Sequence, residues 1–263
     1  MGDATADFKK GSLGIKFLLL AVGIAALAIV LVYVGIKREG EKLTIEQVVN
    51  EQKRIFKLQR NDQIAEWRKW ASSTHEFELQ QQALLQLAWL NDKDGVPIAI
   101  QALQQPDHSI RGVAAQVVAH FGSPTADAAK PAVNKALLES DASDEPQLAW
   151  ALVELNDKTA LDRVLKVYRA GHLSKVQRVG GGSAFNPEKL ATMASPEQWA
   201  SYVKDESPSV RQLVATILSS NADPRFTDPL ITLVQDSDVD VAREAAPGLG
   251  RIGDEKARKP LLD

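Results

Sequence analysis

The chain contains no cysteine among its 263 residues. That absence excludes disulfides, thiolate catalysis and cysteine-held zinc or iron–sulfur centres. Histidine is scarce as well, and His75, His108, His120 and His172 show no ligand spacing of the His-x-x-x-His kind. The one dense acidic run, with Glu139, Asp141, Asp144 and Glu145, lacks the glycine and terminal glutamate of a calcium loop. Val179 to Ser183 reads VGGGS, without the Gly-Lys-Ser/Thr ending or the preceding strand of a phosphate loop. No catalytic constellation, metal site or cofactor is therefore expected. Sustained alternation of apolar and polar residues is missing too, which argues against strands.

Positive charge is lacking where a nucleic-acid surface would need it. Residues 71–263 carry 19 basic and 26 acidic side chains, a net of −7. Phosphate backbones are bound by clustered Lys and Arg, so no nucleic-acid partner is expected.

Charge disappears altogether between Phe17 and Ile36, which read FLLLAVGIAALAIVLVYVGI. Twenty helical residues span about 30 Å, the thickness of a bilayer's hydrocarbon core. The stretch is apolar on every face, unlike a buried helix of a soluble protein with a polar side. It is also longer than the apolar region of a cleaved signal peptide. The best cleavage candidate, Ala26-Leu27-Ala28, lies in its middle, so an uncleaved transmembrane anchor at residues 17–36 is expected. Lys9, Lys10 and Lys16 precede the span, and Lys37, Arg38 and Lys42 follow it, so the flanking charge barely distinguishes the two sides. A short N-terminal tail, residues 1–16, ahead of a large cysteine-free body favours a single-pass cell (inner) membrane protein with an extracytoplasmic main domain.

Residues 37–72 are expected to form connecting helices. Thr44-Ile45-Glu46-Gln47 has the pattern of a capping box. A second helix start is read at Asp62. Basic residues interleave with Trp67 and Trp70, which makes these tryptophans, with Tyr33, Lys37 and Arg38, candidates for a membrane interface. A plain connecting helix that caps whatever follows is the alternative.

From about residue 73 the chain repeats itself. Pro106 to Gly122 reads PDHSIRGVAAQVVAHFG, Ser207 to Ser219 reads SPSVRQLVATILS, and Asp236 to Asp254 reads DSDVDVAREAAPGLGRIGD. Weaker copies begin at Glu78 and Asp141. Each copy offers a capping residue such as Asp107 or Ser207, small alanines that allow close helix approach, and a terminating Gly122 or Gly253. One helix pair cannot bury its own apolar face, so several must stack.

This pattern resembles HEAT repeats, in particular the HEAT-like type named from phycobilisome lyases. The matching residues are Ile110-Arg111 with Ala114-Ala115, Val210-Arg211 with Ala215, and Val241 with Ala245-Ala246, Leu249-Gly250 and Gly253-Asp254. The last copy has Ala242 where the family has arginine. The resemblance implies an all-α chain: a single transmembrane helix followed, over residues 73–263, by an α-solenoid of about five to six helix pairs. It also implies that Arg111 and Arg211 pair with acidic turn residues. Trp89 and Trp150, both following Leu-Ala, are expected in the packing between helices.

Two irregularities mark where a partner would bind. His172 to Pro187 carries Gly180, Gly181 and Gly182 where a trailing helix belongs, and each glycine weakens a helix by about 1 kcal/mol relative to alanine. With Lys175, Arg178 and Phe185 nearby, this loop is a candidate contact, and Trp199 with Tyr202 in the atypical segment beyond it is another. DEKARKPLLD at the end of the given sequence reads as the beginning of another leading helix; either Leu261 and Leu262 are covered by a partner, which makes them candidate contacts as well, or the sequence is part of a longer chain. The function expected is a membrane-anchored scaffold or accessory subunit that binds other protein subunits in a membrane complex. The alternative is a bilin-lyase-type enzyme or chromophore-handling protein.

Overall fold

A computed structural model describes residues 43–74, 76–171, 187–221 and 223–262. The chain divides into two units, Met1–Lys42 and Leu43–Asp263. The first unit, with the expected tail, the 17–36 span, Tyr33, Lys37 and Arg38, lies outside the described residues. Among those that are described, no helix is long and apolar enough to cross a membrane.

The second unit is helical, with no strand among its described residues. Its helices are α1 (Ile45–Phe56), α2 (Arg60–Ala71), α3 (Phe77–Trp89), α4 (Gly95–Ala102), α5 (His108–Thr125), α6 (Lys130–Leu138), α7 (Glu145–Glu154), α8 (Ala160–Arg169), α9 (Pro187–Ala191), α10 (Pro196–Ser201), α11 (Pro208–Asn221), α12 (Thr227–Val234), α13 (Val239–Ile252) and α14 (Arg258–Leu262). They pair in order. The leading helices α2, α4, α6, α8, α10 and α12 alternate with the trailing helices α3, α5, α7, α9, α11 and α13, and α14 follows the sixth pair. Trailing helices pack on their neighbours in a row: α3 on α5, α5 on α7, α7 on α9, α9 on α11, α11 on α13.

The ends of these helices follow from short-range chemistry. Thr44 Oγ1 accepts from Gln47 N–H while Gln47 Oε1 accepts from Thr44 N–H, the expected capping box. Asp107 and Asp238 accept from the first free N–H groups of α5 and α13. Gly253 closes α13 in the left-handed conformation, φ 68° and ψ 22°. Gly122 also has positive φ, 54°, but with ψ −168°, so the chain leaves the helix extended before it enters the short turn at Pro124.

The array begins earlier than residue 73. The helix read from Asp62 starts at Arg60, and α2 packs on α3 as the first pair. Its apolar stripe explains this: Trp67 and Ala71 are buried, and Ile64 packs beside them. Helix α1 lies against α2 and α3, burying Val48 and Ile55. The 45–71 region is thus part of the body's core. Trp67 is fully buried, edge-on to Phe56 at 5.5 Å between ring centres, so it cannot serve at a membrane interface. Trp70 is half-buried: its indole donates to Glu51 at 3.2 Å, and Lys69 lies over its ring.

Candidate functional site

Two kinds of surface remain once the core is accounted for: the charged turns that join successive pairs, and the open stripes of the trailing helices.

The turns are built around arginine. Arg111, in the first turn of α5, is 3% exposed. Its Nε donates to Asp144 Oδ2 at 2.7 Å, and its Nη2 donates to the Glu139 carbonyl at 2.9 Å. Asp144 precedes α7 in the next pair, so one guanidinium ties two pairs together. Arg211 does the same from α11. It donates to both Asp236 oxygens, at 2.6 and 2.8 Å, and to the carbonyl of Asp205 at 2.8 Å. The guanidinium hydrogen bond to Asp236 holds that carboxyl below its ordinary range. Both arginines therefore take the role that the repeat pattern implied.

Among the described residues, His108, Asp141 and Asp144 bring three potential ligand atoms within 4.8 Å of one another. Arg111 decides how this corner works. Its Nη2 donates to His108 Nδ1 at 2.7 Å, so the lone pair that a metal would need is already taken. A cation there would also face the guanidinium across one shared carboxylate. Asp144 Oδ1 is further engaged by the Asp141 N–H at 2.9 Å. The corner is a structural joint.

The second surface lies on α3 and α5. Helix α3 buries Leu79, Gln80, Ala83, Leu84, Leu87 and Ala88 and leaves the opposite stripe open along Gln82, Leu85 and Trp89. Trp89 is 62% exposed, which corrects the expectation that it packs inside. It is the final residue of its helix, beyond the reach of the next helix. Trp150, midway along α7, is 6% exposed as expected. Helix α5 leaves Ser109, Val113, Gln116 and His120 accessible on its matching stripe. Partial desolvation lowers the His120 imidazole from its ordinary value. Glu78, at the start of α3, is the only charged residue on these two stripes. Half-buried amides, one exposed hydroxyl and one large exposed indole thus stand together on a charge-poor face. Glutamine offers both a donor and an acceptor, while tryptophan brings apolar area with little rotamer entropy to lose.

A second, partly open stripe runs along α11 and α13, through Gln212, Thr216 and Pro247, beside the exposed Asp240 and Arg243. Between the two, α7 is buried on every side, from Asp144 through Val153.

The expected contact residues fare unevenly. Trp199 is 1% exposed, its indole donating to the Ala191 carbonyl at 3.3 Å. It is a core residue of α10 and not an exposed contact, and Tyr202 meets it edge-on at 6.1 Å while staying half-exposed. Leu261 and Leu262 are 40% and 79% exposed on α14. Lys175, Arg178, Gly180, Gly181, Gly182 and Phe185 lie outside the described residues. The α3–α5 face was missed in sequence because its residues look ordinary one by one. The missed signal was the absence of charge along stripes spaced at three and four residues.

Residues 196–263 match the family model for HEAT repeats. No curated protein matches the chain. The match and the all-helical body support a HEAT-repeat protein. The matched segment covers α10 through α14, where Arg211, Asp236 and Gly253 sit. The paired helices and the Arg111–Asp144 joint continue the same architecture upstream of it. HEAT arrays commonly mediate protein–protein interaction through extended helical surfaces, which supports protein partners.

Proposed function

We propose that this chain is a membrane-anchored HEAT-repeat scaffold, an accessory subunit that holds a protein partner on the α3–α5 face and catalyses no reaction. The observation that carries the reading is Trp89, an exposed tryptophan at the end of a charge-poor stripe. Protein interfaces concentrate their binding energy in such aromatic anchors, surrounded by neutral contacts that exclude water. The apolar, uncharged composition of residues 17–36 supports a membrane anchor, and an extracytoplasmic body is part of the proposal. Anchoring confines partner and scaffold to one surface and raises their effective concentration.

Two measurements test the reading. Full-length protein extracted in mild detergent is expected to co-purify with a stoichiometric partner. Trp89→Ala should weaken that association by about 2 kcal/mol or more, roughly thirtyfold in Kd, without changing the helical circular dichroism. A monodisperse, partner-free protein, or an association indifferent to Trp89, overturns the docking face. For the anchor, the full chain should resist alkaline extraction from membranes, and protease added outside intact spheroplasts should digest the body. Release into the supernatant, or protection of the body, refutes the anchor or the orientation respectively.

A further inference from the structure

We infer that the α3–α5 face takes its partner as an extended, uncharged stretch of peptide, its main chain hydrogen-bonded by Gln82 and Gln116 and one apolar side chain laid against Trp89. This rests on the docking face proposed above and gives that face its occupant.

The first observation is unused hydrogen-bonding capacity. Gln82 on α3 and Gln116 on α5 are half-buried, yet among the described residues neither carboxamide has a hydrogen-bond partner. Glutamines packed against the body elsewhere are engaged. Gln63 Nε2 donates to the Phe56 and Leu58 carbonyls at 3.2 and 2.8 Å, and Gln80 Nε2 donates to the Ala71 carbonyl at 3.2 Å. A carboxamide sets N–H donors beside an acceptor oxygen, so its complement is a group that shows an N–H and a C=O together. The peptide main chain is such a group. Within a helix those groups are already bonded to one another. In an extended chain the N–H and C=O of every second residue face the same side, about 7 Å apart. An extended segment therefore satisfies both glutamines with its main chain, whereas a helix would meet them only through the side chains it carried.

The second observation is charge. Glu78 alone is charged on the two stripes, at the start of α3, and partial desolvation favours the neutral form of His120 near the end of α5. A charged side chain of the partner laid along the face beyond Glu78 would lose water without meeting an opposite charge, so the segment that fits is uncharged. Its length follows from the helices. Ser109 to His120 rises about 16 Å and Gln82 to Trp89 about 11 Å. Four or five extended residues, at about 3.3 Å each, cover that span. Helix α3 packs on α5, so the two rows run side by side. Trp89, 62% exposed at the end of its row, offers a rigid aromatic ring to one apolar side chain.

The probe is a phage-displayed library of random heptapeptides, panned on the full-length protein in detergent with the Trp89→Ala protein for counter-selection. Peptides that bind the native protein and not the variant should lack Asp, Glu, Lys and Arg at their central positions and share one aromatic or large aliphatic residue. In calorimetry with the tightest synthetic peptide, Gln82→Met and Gln116→Met should each weaken binding about five- to tenfold, the weight of one neutral hydrogen bond, with thermal midpoints unchanged. Methylating the peptide nitrogens of one alternating set should weaken binding at least as much, and methylating the other set should change it little. Affinity indifferent to both glutamine variants, or to methylation in either set, overturns the main-chain mode. A charged consensus, or recovery of no Trp89-dependent peptide, overturns the uncharged extended ligand. The docking face is judged separately, by whether Trp89→Ala weakens the partner that co-purifies with the full chain. If it does while the peptide arms fail, the face stands and its ligand is a folded surface.

Discussion

Asp144 is the side chain on which the body depends most heavily. It is fully buried, and it neutralises a guanidinium that is itself 3% exposed. Removing one member of a buried pair leaves the other charge unsolvated, so Asp144→Ala should cost about 3–5 kcal/mol in denaturant unfolding. Trp67 makes the opposite case. Its ring fills the core, yet its indole N–H finds no acceptor among the described residues. Trp67→Phe should therefore cost below about 1.5 kcal/mol, against about 3–5 for Trp67→Ala, in the same measurement. The arginine joints were legible in the sequence because the repeat pattern fixes both partners. The tryptophans were not. Trp89 and Trp150 share the same Leu-Ala-Trp setting, and only their place along the helix separates an exposed indole from a buried one. Trp67 was misjudged because neighbouring lysines and arginines drew it toward a lipid surface, although Ile64, Trp67 and Ala71 already trace one helical stripe.

Between elements, α11 and α13 approach closely at Gly248. A Cβ added at Gly248 would come within 2.8 Å of Ser219 Cα and would collide with the Ser219 hydroxyl. The crossing is pinned on either side: Ser219 Oγ donates to the Glu244 carbonyl at 2.9 Å, and Arg251 donates to the Ser219 carbonyl at 2.8 Å. Backbone cannot yield as a side-chain tip can, so Gly248→Ala should destabilise by about 1–3 kcal/mol, despite alanine's better helix propensity. Gly250→Ala, which meets nothing within 4 Å, should be neutral or stabilising by up to about 1 kcal/mol. Melting of the two variants side by side checks this. Helix identity was readable from the caps and from periodicity, and Thr44, Asp107 and Gly253 mark ends that were read. The identity of α2 as a repeat helix was less so, since its charged residues outnumber its buried ones and α3 is needed to reveal which side faces inward.

At the level of the whole molecule, acid should unfold the body through its carboxylates. Hydrogen bonds from Arg211, Ser143 and Arg54 hold Asp236, Asp141 and Glu51 below their ordinary values of 3.8, 3.8 and 4.5. Groups with folded values below their unfolded ones stabilise above the unfolded value and lose that contribution as pH falls through the folded one. The thermal midpoint should stay level from about pH 8 to about pH 5 and drop below about pH 4. Asp236→Asn should lower the neutral plateau and shrink the acid drop; an unchanged drop would show that other groups govern it. The array's existence was legible from its repeats. The sealed helix α7 carries one more consequence. With residues 144–153 buried, it separates the two open stripes of the trailing row. A ligand long enough to touch both must bind bivalently, and its avidity would depend on how well its own span matches the distance between them.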